Sequence, residues 1–456
     1  MRPLKLIILL LTISTSAFAQ GDILDGYIKE GLQNNEAIKQ QNFQLQKSIY
    51  ALKEATGLFF PSLNLQANYV DSRGGRAIEI PIGDLMNPVY QNLNQINSVF
   101  APGAPQYPTI NNVSEQLTPK NFYNAYFRAS MPLVNAEIWY NRTIKKDQIK
   151  LQETEVAIYK RELVKDIKMA YFNYLKATQA VTIYENAMGM VKESERVQQK
   201  LVDNGKEVPY VLSRAKSEVS KIEAQLNNAQ ANKKNAAAYL NFLLNKELTA
   251  EVQVDEALLN NVLPLPGETD ISSAKREELN KLLLAKKINT TVLNINKASW
   301  IPKVGAQLDL GSQASDFKFD SKTRYYMLGI SFDWAIFSGL RDVYKVKQAK
   351  LELDALASQT KYAEGQLKLA ATAAGNTYSS AKQQYTSAIE SEASAGQYFN
   401  LINKKYKEGQ ALYIEFLDAR NETTLTSLQK SIAYFDAWIK YTELERANAG
   451  FNIQQQ

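Results

Sequence analysis

The chain has 456 residues, no Cys, no His and a formal net charge of +6. Without His or Cys, zinc sites, histidine-dependent triads and a disulfide framework are excluded, and no catalytic, metal-binding or cofactor-binding residue is expected. The charge is too mild for this length to indicate nucleic acid. Beyond the first twenty residues no stretch is apolar for the ~18 residues a spanning helix needs, so membrane insertion would require a β-barrel.

In chain order, residues 1–19 read as a secretory signal. Arg2 and Lys5 give a basic start, Leu6 to Ile13 a short apolar run, and Ala17 and Ala19 flank Phe18 as a small-x-small cleavage site. A helix is expected over 36–57 and then a strand over 61–70, where Leu63, Leu65, Ala67 and Tyr69 alternate with polar residues. The segment 71–120 carries Pro81, Pro88, Pro102, Pro105, Pro108 and Pro119 among many Asn and Gln, and reads as an exposed surface loop. A second strand over 122–134 puts Tyr123, Ala125, Phe127, Ala129, Met131 and Leu133 on one face and Asn124, Arg128 and Ser130 on the other. From Glu137 to Asp203 there is no Pro, and Leu163, Ile167, Ala170, Tyr171, Tyr174 and Leu175 follow helical spacing. Such a stretch would extend about 100 Å. Gly205 marks a turn, and a return helix runs from about Tyr210 to Asn245.

After "VLPLPGETD" the pattern is written again. A helix is expected over 273–299, strands over 302–310 and 324–337, a long helix from Arg341 to Lys407, a turn at Gly409 and a return helix from about Tyr413 to Asn448. Pro61 and Pro302 open matching strands at an offset of 241, and the second strands match at an offset of 203. The halves are therefore structural repeats, 20–262 and 263–456, each reading helix, strand, loop, strand, very long helix, glycine turn, return helix. Strands of about ten residues with one apolar and one polar face suit an outer-membrane barrel. Four strands are too few to close one, and open edges are not tolerated in lipid, so several copies must share it.

The paired "FFPSL" and "WIPKV" at strand entry, "PLVNA" and "AIFSG" at strand exit, and the turn "YKEGQALYIEFLDARNETTL" together resemble the TolC-like outer-membrane efflux protein family. The resemblance covers nearly all of the chain after the signal. It implies a mainly α fold with a small β part: a homotrimer whose protomers share a transmembrane β-barrel, four strands each, above a long α-helical barrel in the periplasm. It implies a passive exit duct in the outer membrane, surrounded by lipid, with a periplasmic adaptor protein and an inner-membrane pump as partners. Small-molecule efflux and type I protein secretion are both open on this reading. A secreted periplasmic coiled-coil structural protein is the rival from another class.

The stretch from Tyr413 also carries an unpaired acidic stripe, with Glu415, Asp418 and Glu422 on one helix face. By the resemblance, Glu415 and Asp418 would face the pore and form its periplasmic constriction, a ring of acids that favours cations. The competing expectation is that they pair with Lys206, Arg214 or Lys216 on the other turn. Tyr406 matches a gate tyrosine of the family, while Ala411, Tyr210 and Val211 stand where its polar lock residues would be. Tyr210, Val211, Tyr406 and Phe416 are accordingly expected to close the tip through apolar contact, or else simply to pack in the core.

Overall fold

The computed structural model describes residues 23–118, 120–259, 261–264 and 276–450. The cleavage site at Ala17 and Ala19 lies outside them. The chain divides into two compact units. One contains the chain up to Tyr50, Lys146–Thr290 and the chain from Lys350 onward; the other contains Ala51–Lys145 and Thr291–Ala349. Each unit takes segments from both sequence halves.

The first unit is helical. It draws on α1 (Ile23–Asn34), α2 (Glu36–Gly57), α4 (Ala136–Asp203), α5 (Pro209–Leu243), α6 (Glu277–Lys297), α7 (Arg341–Lys407) and α8 (Tyr413–Ala447). Asn35 separates the first two helices and caps the second, its side-chain oxygen accepting from the Ala37 N–H at 2.9 Å. Its amide donates to the Leu243 carbonyl at 2.9 Å, which pins α1 and α2 to the end of α5. The six residues of α4 read as one apolar face, Leu163 to Leu175, are all buried. They form the main core with Leu24 and Ile28 of α1, Leu240 of α5 and Phe435 of α8. Gly31 makes this approach possible, because a Cβ there would sit 2.3 Å from Ile167 Cδ1.

The segment between the halves is strapped down by tyrosines. Tyr174 donates to the Val252 carbonyl at 3.0 Å, Tyr171 to Gln253 at 3.2 Å, Tyr434 to Leu258 at 2.7 Å, and Tyr378 to Pro264. Burial of each aromatic ring is thus combined with satisfaction of a backbone carbonyl that water would otherwise have to serve.

The second unit is built on a four-stranded antiparallel sheet of order β1-β4-β5-β6: β1 (Ser62–Val70), β4 (Phe122–Val134), β5 (Lys303–Ser315) and β6 (Arg324–Asp333). The register places Leu65 beside Phe127, Phe127 beside Leu310, and Leu310 beside Tyr326. The strand expected over 302–310 continues to Ser315 because Phe122 of β4 still pairs with Ser315. The strand expected over 324–337 stops at Asp333 because its partner Lys303 is the first residue of β5, so no ladder exists beyond that pair.

The reading of 71–120 as a loop without secondary structure is corrected. It contains β2 (Ala77–Ile80) paired with β3 (Val113–Gln116), and between them α3 (Ile82–Phe100). The prolines misled because of where they fall. Pro81 immediately precedes α3, where a missing N–H costs nothing, and Pro102, Pro105 and Pro108 come after its end. Only Pro88 lies inside.

Candidate functional site

The two glycine turns of the helical unit close in the same way. Lys206 N–H donates to the Leu201 carbonyl and Gln410 N–H to the Lys405 carbonyl, both at 2.8 Å. Gly205 and Gly409 have φ of +65° and +75°, the left-handed cap conformation that a glycine adopts without a Cβ penalty. Pro209 then starts α5 at its first turn, where its fixed φ suits a helix.

At the start of α8 no side chain of the N-cap Leu412 can accept a hydrogen bond. Glu415, three residues on, compensates: its carboxylate accepts from the Leu412 N–H at 2.7 Å. A negative charge in the first turn is also favoured by the helix dipole. Glu415 therefore has a local structural task. Asp418 and Glu422 are exposed. Among the described residues neither Glu415 nor Asp418 forms an ion pair, so the expected alternative pairing with Lys206, Arg214 or Lys216 is not made; Arg214 pairs with Glu218 at 3.2 Å.

Of the four residues expected at the gate, two meet in the folded chain. Tyr406 and Phe416 stack at 4.9 Å between centroids, joined by Tyr413 at 6.0 Å from Tyr406 and by Phe399 at 6.0 Å from Phe416. Val211 is buried on α5, while Tyr210 is 74% exposed. The aromatic cluster is tied to α4 by polar contacts: Gln198 Nε2 donates to the Tyr406 hydroxyl at 2.5 Å, and the Tyr413 hydroxyl lies 3.0 Å from Ser194 Oγ. Burial pushes both tyrosine hydroxyls above their ordinary pKa. Tyr406 and Tyr413 thus tie the second hairpin to α4 of the first, and Phe416 stacks on them.

A buried charge pair was missed in the sequence. Arg420 of α8 is 1% exposed and donates to Glu218 of α5 at 3.2 Å; Lys221 also reaches Glu218, at 3.0 Å. Burial pushes the Glu218 carboxyl up, but Lys221, Arg420 and Arg214 together hold it below the usual carboxylate range. Burial lowers Arg420 in turn. A signal was present: Glu218 falls in the helical series Val211, Ala215, Glu218, Ile222, and Arg420 in the series Tyr413, Leu417, Arg420, Thr424.

The sheet presents two unlike faces. Leu63, Leu65, Phe127, Tyr326, Leu328 and Ile330 share one face and are exposed. The other carries cross-strand polar contacts. Tyr126 bonds Gln66, Arg128 grips Asp309 through Nε and Nη2 at 2.8 and 2.7 Å, and Tyr325 donates to Asn124 at 3.0 Å. Gly311 lies between Tyr126 and Tyr325 in register, and a Cβ there would be 2.4 Å from Tyr126 Cβ. Aromatics mark both ends of the strands: Tyr69, Tyr123, Phe317 and Phe319 contact one another at one, and the pairs Phe59–Trp139 and Phe332–Trp334 lie at the other. An exposed apolar band between aromatic girdles suits lipid. Among the described residues no helix is long and apolar enough to cross a membrane.

Solved outer-membrane channels have this fold. The Campylobacter jejuni CmeC channel superposes with a TM-score of 0.74 at 16% identity, covering 94% of this chain and 86% of that one. The open state of the Neisseria gonorrhoeae MtrE channel gives 0.71 at 15%, covering 93% and 88%. VceC from Vibrio cholerae gives 0.68 at 14%, covering 93% and 95%. No curated protein matches the chain by sequence. The profile of the family described as outer membrane efflux protein matches residues 27–246 and 287–447. The chain belongs to that family of outer membrane efflux proteins, which are not enzymes.

Proposed function

We propose that three copies pool their sheets into one closed barrel in the outer membrane and serve as the passive exit duct of a tripartite efflux pump for small molecules. The observation that carries this reading is the four-stranded sheet itself. Its strands expose an apolar face, and among the described residues its outer strands β1 and β6 have no partner on one side. Unpaired strand edges are unstable in lipid, and closure among symmetric copies removes them. The helices then line the duct on the periplasmic side, and its end near Gly205 and Gly409 receives a periplasmic adaptor protein and an inner-membrane pump. Glu415 and Asp418 form the constriction there. Their support is exposure without an ion pair, beside the buried Leu417 and Ala419.

The test is fractionation and reconstitution. The protein should appear in the outer-membrane fraction, require detergent for extraction, and run as a trimer by light scattering. In planar bilayers it should open small cation-selective pores. A monomer that stays in solution without detergent would remove the duct.

A further inference from the structure

One feature of the sheet unit is not used by the duct. Helix α3 exposes apolar side chains along one side: Leu85 (68% exposed), Val89 (48%), Ile96 (52%) and Val99 (69%) form a row, flanked by the exposed Ile82, Leu93 and Phe100. With Asn92 between them, the row has the alternating spacing of four and three that defines a coiled-coil seam. The two central apolar positions are β-branched.

The opposite side of the helix is already covered by the chain's own strap from Tyr107 to Asn112. Asn94 exchanges two hydrogen bonds with Tyr107, at 3.0 and 2.8 Å, and Asn87 does the same with Ile110, at 2.8 Å each. Asn112 donates to Asp84 at 2.9 Å, and Tyr90 stacks on Tyr107. The strap thereby occupies the polar face and leaves the apolar row outward.

We infer that this row is an interface between copies of the chain: three α3 helices pack in parallel around the symmetry axis, at the strand ends where β1 and β4 pass into the insertion. The inference rests on the shared-barrel reading. Three observations choose a second copy over other occupants. The insertion hangs from β1, which is an edge strand of the sheet, so it lies where one copy gives way to the next. It joins the ends of β1 and β4 opposite those that lead to α2 and α4. Finally, α3 contains one charged residue, Asp84, and that residue is held by the strap. Symmetric packing brings every side chain near its own duplicate, where like charges would repel; a charge-free row meets that requirement. Under threefold symmetry a face can meet its own copies only around the axis. A helix this short would not associate alone, but tethering at the barrel rim supplies the local concentration.

The chain has no native cysteine, so one substitution gives an unambiguous probe. Ile96→Cys is placed in the row, and Gln91→Cys on an exposed position outside it. Both variants are purified in detergent, their trimers checked by light scattering, and then oxidised. Ile96→Cys should give a disulfide-linked two-chain band containing up to about two-thirds of the protein, since one disulfide can join only two of three symmetric copies. Gln91→Cys should give almost none. An intact trimer with no Ile96→Cys dimer, or equal dimer from both variants, overturns the inference and leaves the duct standing. Cross-linking of Ile96→Cys to a different protein in intact cells overturns it as well. Failure to form a trimer removes the duct, and the bundle with it.

Discussion

Glu218 and Arg420, 202 positions apart in the chain, meet as a buried ion pair that joins the two return helices. Removing one partner of such a pair leaves the other charge buried without compensation. Glu218→Gln should therefore destabilise α5 and α8 by about 3 kcal/mol, whereas Glu218→Leu combined with Arg420→Met should recover most of that loss. Hydrogen exchange of the amides in these helices reads both.

The same pair gives a pH dependence of defined sign. The Glu218 carboxyl is held below its ordinary range in the folded chain by Lys221, Arg420 and Arg214, despite its burial. A group lowered in this way contributes stability that is complete above the unfolded pKa, near 4.3 for Glu, and is lost as the pH falls through the folded value. The difference in protection between wild type and Glu218→Gln should thus be full at neutral pH and shrink below about pH 4. A difference that stays constant through acid would show that the charge of Glu218 is not what stabilises the site.

Tyr406→Phe would keep the stack on Phe416 but take the hydrogen-bond partner from Gln198, which is fully buried. An orphaned buried amide costs about 1–3 kcal/mol. The single variant should unfold at lower temperature, and Tyr406→Phe combined with Gln198→Leu should regain much of the loss. If the single and double variants unfold alike, the amide is being served by water.

Two glycines of the sheet separate steric need from tolerance. At Gly311 an added Cβ would meet Tyr126 Cβ at 2.4 Å and the Ala125 carbonyl at 2.7 Å, both close to backbone and unable to yield. At Gly329 it would meet only the flexible Gln307 side chain, nearest at 3.3 Å. Gly311→Ala should cost about 1–3 kcal/mol and lower the yield of detergent-stable oligomer; Gly329→Ala should leave that yield close to wild type.

What the sequence revealed depended on repetition and period. The alternation from Leu63 to Tyr69 and from Tyr123 to Leu133 was readable because a strand with unlike faces repeats every two residues. The core face of α4 was readable because Leu163 to Leu175 keep helical spacing. Helix α3 was hidden by prolines that, Pro88 apart, sit at its border and beyond it. Glu218 and Arg420 were hidden because charges are ordinarily assigned to solvated faces, and only their place in two apolar series betrays them. The contacts of Tyr406 with Gln198, and of Glu415 with its own helix start, depend on rotamers and hairpin packing that no spacing rule specifies.

Glu415 and Asp418 can be separated because only one of them has a structural duty. Glu415→Gln keeps an acceptor for the Leu412 N–H, as glutamine serves in capping boxes, while it removes the charge. Asp418→Asn removes a charge from an exposed position. If both carboxylates line a constriction, each of these variants should weaken cation selectivity and block by divalent ions in planar bilayers, with little change in thermal stability. Glu415→Ala should show the same electrical change and, in addition, lose about 1 kcal/mol of stability with its capping contact. Normal block in Glu415→Gln and Asp418→Asn, with a defect only in Glu415→Ala, would reduce Glu415 to a helix cap and move the constriction elsewhere.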